Sequence, residues 1–155
     1  MKRDLRFEVT YPHPPERVWH ALTDAQAIAG WLMPNNFEPR VGHKFQFRTK
    51  PMPGWDGIVN CEVLECDPPR RLVYTWKSTL DTVLAITLEP VSGGTRLVLE
   101  HTGFRGVKPV LISLLMGSGW GRILRKYLPA VVERIEPDGT LRPLAAGEKA
   151  GCQAR

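Results

Sequence analysis

Residues Cys61 to Trp76, CEVLECDPPRRLVYTW, decide how this chain folds. Two arms rich in Val, Leu, Tyr and Trp flank Asp67-Pro68-Pro69-Arg70. Proline has no N–H to give a ladder, so the two prolines belong to the bend and the arms pair as an antiparallel hairpin. Alternation places Val59, Cys61 and Val63 on one face of the outgoing arm, with Glu62 turned away. On the return arm Tyr74 and Trp76 share that inner face, and Val73 and Thr75 take the other. Cys61 and Cys66, five apart on one strand, are therefore expected on opposite faces, where they neither bridge nor chelate together.

Outward from the hairpin the same periodicity recurs. Leu5, Phe7, Val9 and Tyr11 alternate with Arg6, Glu8 and Thr10, a half-buried strand that the prolines at 12, 14 and 15 end. Pro15 suits the first position of a short helix running through Leu22. Thr23 or Asp24 can cap a second short helix that ends near Gly30. Phe45 and Phe47 alternate with Lys44, Gln46 and Arg48 in the next strand. Downstream of the hairpin, Thr82 to Glu89 and Arg96 to His101 form two more strands joined by Ser92-Gly93-Gly94. At the end of the chain, Trp120, Leu124, Tyr127, Val131 and Ile135 make one helical stripe opposite Arg122, Lys126 and Glu133, taking about 100° per residue. Pro129 is expected to kink that helix near residues 125 to 128. The order is α+β: a strand, two short helices, a run of antiparallel strands, a helix.

Composition sets the outer bounds. The 155 residues suit one domain, and 43% hydrophobic with 24% charged residues is ordinary for a globular protein. No apolar run approaches a membrane span, the opening MKRDLRFEVTYP has no signal-peptide core, and three cysteines cannot pair off completely. The expected location is cytoplasmic. The net charge of +5 is too mild and too dispersed for a nucleic-acid footprint. Beyond residue 136 the chain is small, polar and without period, so the expected organisation is one domain over 1–136 and a disordered tail over 137–155.

The hairpin, together with His101-Thr102-Gly103-Phe104 closing a late strand, Gly119-Trp120 opening a terminal helix, and Pro15-Glu16-Arg17-Val18-Trp19 followed by Trp31, resembles the heat-shock-protein-90 ATPase activator homologues. These are a branch of the START-like (SRPBCC, birch-pollen-allergen-like) superfamily, and the resemblance spans roughly residues 5 to 136. It implies a helix-grip fold: a curved antiparallel sheet of six to seven strands wrapped on a long C-terminal helix, with two short helices after the first strand. It also implies a cavity between sheet and helix able to hold a lipid, a polyketide or another small apolar molecule. Such a cavity would be lined by Trp31, Phe37, Phe47, Val59, Cys61, Tyr74, Trp76, Leu84, Ile86, Leu99, His101, Phe104, Trp120, Leu124 and Tyr127.

The chemistry available is sparse. His101 points inward, either as a polar handle for a ligand or as a buried histidine satisfied by a backbone group. His13, His20 and His43 read as loop or surface residues. No nucleophile has an oriented base beside it, Glu62 and Glu100 face away from the interior, and the histidines and cysteines lack metal-ligand spacing. No catalytic residue, metal or cofactor is therefore assigned, and the expected function is non-enzymatic binding of a small hydrophobic molecule. Two alternatives are a cochaperone that engages a chaperone surface and a polyketide-cyclase-like enzyme using His101 as base. Val107 to Met116, VKPVLISLLM, is apolar around most of its circumference; it reads as a buried helix or as a contact with a second copy or another partner.

Overall fold

A computed structural model of the chain describes residues 2–51, 53, 55–78, 81–105 and 119–143, with residues 2, 3 and 105 described by their backbone. The segment Val107 to Met116 lies outside the described residues. The elements are β1 (Lys2–Tyr11), α1 (Pro15–Thr23), α2 (Ala25–Trp31), β2 (Lys44–Arg48), β3 (Ile58–Asp67), β4 (Arg71–Lys77), β5 (Asp81–Val91) and β6 (Gly94–Arg105). Residues 119 to 122 are helical; they run into a π-helical turn, Ile123–Tyr127, and then α3 (Leu128–Val132). The six strands form one antiparallel sheet in the order β1-β6-β5-β4-β3-β2, curved around the C-terminal helix. No helix among the described residues is long and apolar enough to cross a membrane.

Local chemistry accounts for the boundaries. Pro15 begins α1, and the Asp24 carboxylate accepts the Ala27 N–H at 3.1 Å to cap α2. The Arg70 N–H closes the β3–β4 bend on the Asp67 carbonyl at 2.7 Å. The β5–β6 turn needs Gly93, whose φ is +83°. On β4, Leu72, Tyr74 and Trp76 are buried, in the expected parity; Val73 is buried as well, on the other face.

Two bulges re-aim side chains that simple alternation would place elsewhere. In β3 the ladder pairs Val63 with Tyr74 but Glu65 with Val73, leaving Leu64 as the extra residue. Alternation is thereby offset by one, and Cys66 pairs with Leu72 and packs against the core. This corrects the expectation that Cys61 and Cys66 face opposite ways: they share the inner face, and both thiols are free. In β6, Leu5 of β1 pairs with His101 and Arg3 with Phe104, so Thr102 and Gly103 stand against Asp4 alone. Gly103 takes φ +103°, and Phe104 swings to the same side as His101.

The C-terminal helix meets its proline with a π-turn. The Leu128 N–H bonds to the Ile123 carbonyl, one residue further back than in an α-helix. The Leu124 carbonyl would then look to residue 129, which is proline and has no N–H. The Tyr11 hydroxyl of β1 fills the gap, donating to that carbonyl at 2.6 Å. At the far end the Arg17 guanidinium of α1 donates to the Val132 and Glu133 carbonyls at 3.0 and 2.9 Å, capping α3. A Cβ on Gly30 would lie 3.0 Å from Val131, so glycine there lets α2 sit close against α3.

Past residue 136 the chain turns back on itself. Ile135 bridges Leu141, Arg142 and Arg134 exchange backbone and side-chain hydrogen bonds, and Asp138 caps the intervening turn through Thr140. A polar turn thus returns residues 140 to 142 to the backbone of residues 134 to 136. Residues 144 to 155 lie outside the described residues.

Candidate functional site

The inner faces of the sheet and the helix meet in one interior. All fifteen residues named from the sequence are buried, none more than 8% exposed. Aromatic rings run through it in an unbroken chain. Phe37 meets Phe45 edge-on at 5.1 Å between centroids, Phe45 meets Phe47 at 5.4 Å, and Phe47 meets Trp76 at 5.3 Å. Trp76 then touches Trp120 at 5.7 Å and His101 at 5.5 Å, and His101 touches Phe104 at 4.7 Å. The edge-to-face pairs among them, Phe37–Phe45, Phe45–Phe47 and Trp76–Trp120, stabilise by about 0.5–1.5 kcal/mol each beyond the area they bury. Phe45 belongs to this chain although the residue list above omits it; its place opposite Cys61 in the β2–β3 ladder is the signal that would have found it. Trp31 serves a different purpose, its indole N–H donating to the Ala21 carbonyl at 2.8 Å and tying α2 to α1.

His101 is fully buried and both its ring nitrogens are engaged. The Trp120 indole N–H donates to Nδ1 at 3.1 Å, and Nε2 lies 2.8 Å from the Thr82 hydroxyl. Indole is a donor only, so Nδ1 must be the unprotonated nitrogen and Nε2 carries the hydrogen. The Thr82 hydroxyl in turn donates to the Trp76 carbonyl at 2.8 Å, which completes a neutral chain from helix to sheet. Burial pulls the His101 pKa down to about 4, consistent with that neutral imidazole. The partners are side chains, not the backbone group expected, and Thr82 was not anticipated. An imidazole held at both nitrogens has no lone pair for a substrate proton.

Tyr74, at the other end of the ring chain, is 2% exposed and packs among Phe37, Phe45 and Phe47. Burial raises its pKa well above the ordinary value, with the Cys61 thiol beside it contributing, so the phenol stays protonated. Burial likewise pushes the Cys61 thiol up to about 12, which removes any thiolate nucleophile. Among the described residues no carboxylate is buried, and no group of three or more His, Cys, Asp or Glu side chains is placed to hold a metal.

A curved antiparallel sheet closed on a C-terminal helix over a shared aromatic interior defines the helix-grip class. Within it, the chain belongs to the family described as Activator of Hsp90 ATPase homolog 1-like protein, whose model matches residues 12–133. The crystal structure of protein MLL2253 from Mesorhizobium loti is 34% identical, with 86% of this chain and 99% of that one covered and a TM-score of 0.78. CalU16 from Micromonospora echinospora is 26% identical over 88% of this chain and 78% of its own, with a TM-score of 0.69. DynU16, from the dynemicin biosynthetic locus, shares the fold at 22% identity and a TM-score of 0.71, over 86% of this chain and 48% of its own. No curated protein matches the chain.

Proposed function

We propose that the domain binds a small apolar molecule between the sheet and the C-terminal helix, without catalysing its conversion, in the cytoplasm. The unbroken chain of rings from Phe37 to Trp120 carries this reading. Aromatic faces with few polar atoms are what an apolar ligand meets in binding pockets generally. Free thiols on Cys61 and Cys66 are in keeping with a reducing compartment. The catalytic alternative needs a free ring nitrogen on His101, which the Thr82 and Trp120 bonds deny. The cochaperone alternative rests on the family description alone.

The test uses N-phenylnaphthylamine, an apolar probe whose emission rises on leaving water. It is expected to bind and to quench Trp76 and Trp120, which lie 5.7 Å apart. Leu84 stands in register between Tyr74 and His101. Leu84→Trp is expected to abolish binding, at a stability cost of about 1–3 kcal/mol for overpacking. Unchanged probe affinity in a folded L84W protein would refute an interior site there.

A further inference from the structure

We infer that the outer edge of β1 pairs with the same edge of a second copy of this chain, in an antiparallel register centred on Phe7. The two edges of the sheet differ. β2, at one end of the strand order, is five residues long and its outer side is taken. The Gln46 N–H donates to Asn36 Oδ1 at 2.8 Å, the Arg48 N–H donates to the Pro34 carbonyl at 2.9 Å, and Phe47 bridges Asn35. β1, at the other end, is ten residues long and its one neighbour in the sheet is β6. Among the described residues no backbone hydrogen bond reaches residues 5 to 10 from the outer side. Alternate N–H and C=O groups along that side are thus left for water or for another strand. Most devices that blunt an edge are missing there. Residues 5 to 10 contain no proline, no lysine and no inward-pointing charge, and the one register shift lies at the start, between Arg3 and Leu5.

The sequence of the strand selects both partner and register. A two-fold axis normal to the sheet turns the inner faces of both copies the same way, so opposed residue numbers must sum to an even value. Centred on Phe7, the exposed Arg6 of each copy stands opposite the second copy's Glu8, and two opposite-charge pairs form across the axis. Asp4 falls opposite Thr10, while on the inner side Leu5 meets Val9 and Phe7 meets itself, apolar against apolar. Centring on Arg6 would oppose the two arginines and set Asp4 against Glu8; centring on Glu8 would oppose the two glutamates. Within one chain Arg6 and Glu8 lie 3.4 Å apart along the strand, and Glu8 also meets Arg96 at 3.4 Å. Directly opposed residues have Cβ atoms about 5 Å apart, against about 7 Å for i, i+2 neighbours, so the pair across the axis is the better placed. A foreign strand would have to repeat this alternation of sign; a second copy supplies it by symmetry.

Complementary charge reversals test this register independently of the interior site. Sedimentation equilibrium of the wild type is expected to show a reversible monomer–dimer equilibrium. Arg6→Glu sets acid against acid across the axis and Glu8→Arg sets base against base; each alone is expected to weaken the dimer by about tenfold. Mixed in equal amounts, R6E and E8R place an all-acidic strand opposite an all-basic one, and a heterodimer at least as tight as the wild-type dimer is expected to form. Both side chains are exposed, so both variants are expected to melt close to the wild type. Where a single reversal melts early, the double variant R6E/E8R keeps one charge of each sign per strand and is expected to recover the homodimer. A wild type that stays monomeric at every concentration would overturn the inference. A dimer that neither reversal weakens would place the contact elsewhere on the molecule and overturn it equally. So would a mixture of R6E and E8R that stays monomeric.

Discussion

Tyr11 and Tyr74 are both buried, at 4% and 2% exposed, and burial raises the pKa of both hydroxyls. One is held by a hydrogen bond to the helix backbone and the other by its ring neighbours. Tyr11 gives its proton to the Leu124 carbonyl, an acceptor that the π-turn and Pro129 leave without a backbone donor. Tyr74 packs its ring against Phe45 and Phe47. Identical side chains at similar burial thus play unlike parts, one closing a break in the helix's hydrogen bonding and the other filling the aromatic interior. His101 belongs with Tyr11: its polar atoms are fully engaged, and its role is to join helix to sheet.

The largest expected effect tests that placement of His101. Its pKa falls from 6.5 to about 4 on folding, so the folded state binds fewer protons than the unfolded state between those values. Stability from the neutral ring is whole above pH 6.5, declines as pH falls, and is gone below pH 4. The loss amounts to about 3 kcal/mol. Denaturant titrations at neutral and acid pH should show the wild type losing that much more than His101→Gln, and equal losses would place the imidazole in contact with solvent. Next in size is Tyr11→Phe, which leaves the Leu124 carbonyl without a donor and should cost about 1–3 kcal/mol in the same assay. Smallest is Tyr74→Phe, expected within about 1 kcal/mol of wild type, since phenylalanine keeps the ring contacts with Phe37, Phe45 and Phe47. Equal losses in Y11F and Y74F would erase the distinction between the two tyrosines.

Strand parity was legible because alternation is a local property: Tyr74, Trp76, Leu84, Ile86, Leu99 and His101 all lie on the face that period two assigns them. So were the Pro15 start of α1 and the Asp24 cap. Features that depend on a partner strand were not. Nothing in residues 61 to 66 announces that Leu64 has no opposite number, yet that one unpaired residue reverses the side on which Cys66 lies. Thr82 looked like an ordinary strand residue until Trp76 and His101 came within reach of its hydroxyl. Pro129 marks the place where the helix departs from regularity, but the widened turn at Ile123–Tyr127 that accompanies it is not visible in the sequence. A proline's missing donor can be seen in the sequence; the group that compensates for it, Tyr11, lies more than a hundred residues away.

Widening that turn has a geometric consequence for the whole molecule. A π-turn amounts to one residue inserted into an α-helix, so the segments on either side no longer share a rotational phase. The segment before it directs Trp120 at His101 on the sheet. The segment after it lays Val131 against Gly30 and offers its last carbonyls to Arg17, facing the two short helices. A straight α-helix of the same sequence could align with only one of these surfaces at a time. The inserted residue works like a twist set into a key, letting a single rod engage two locks cut at different angles.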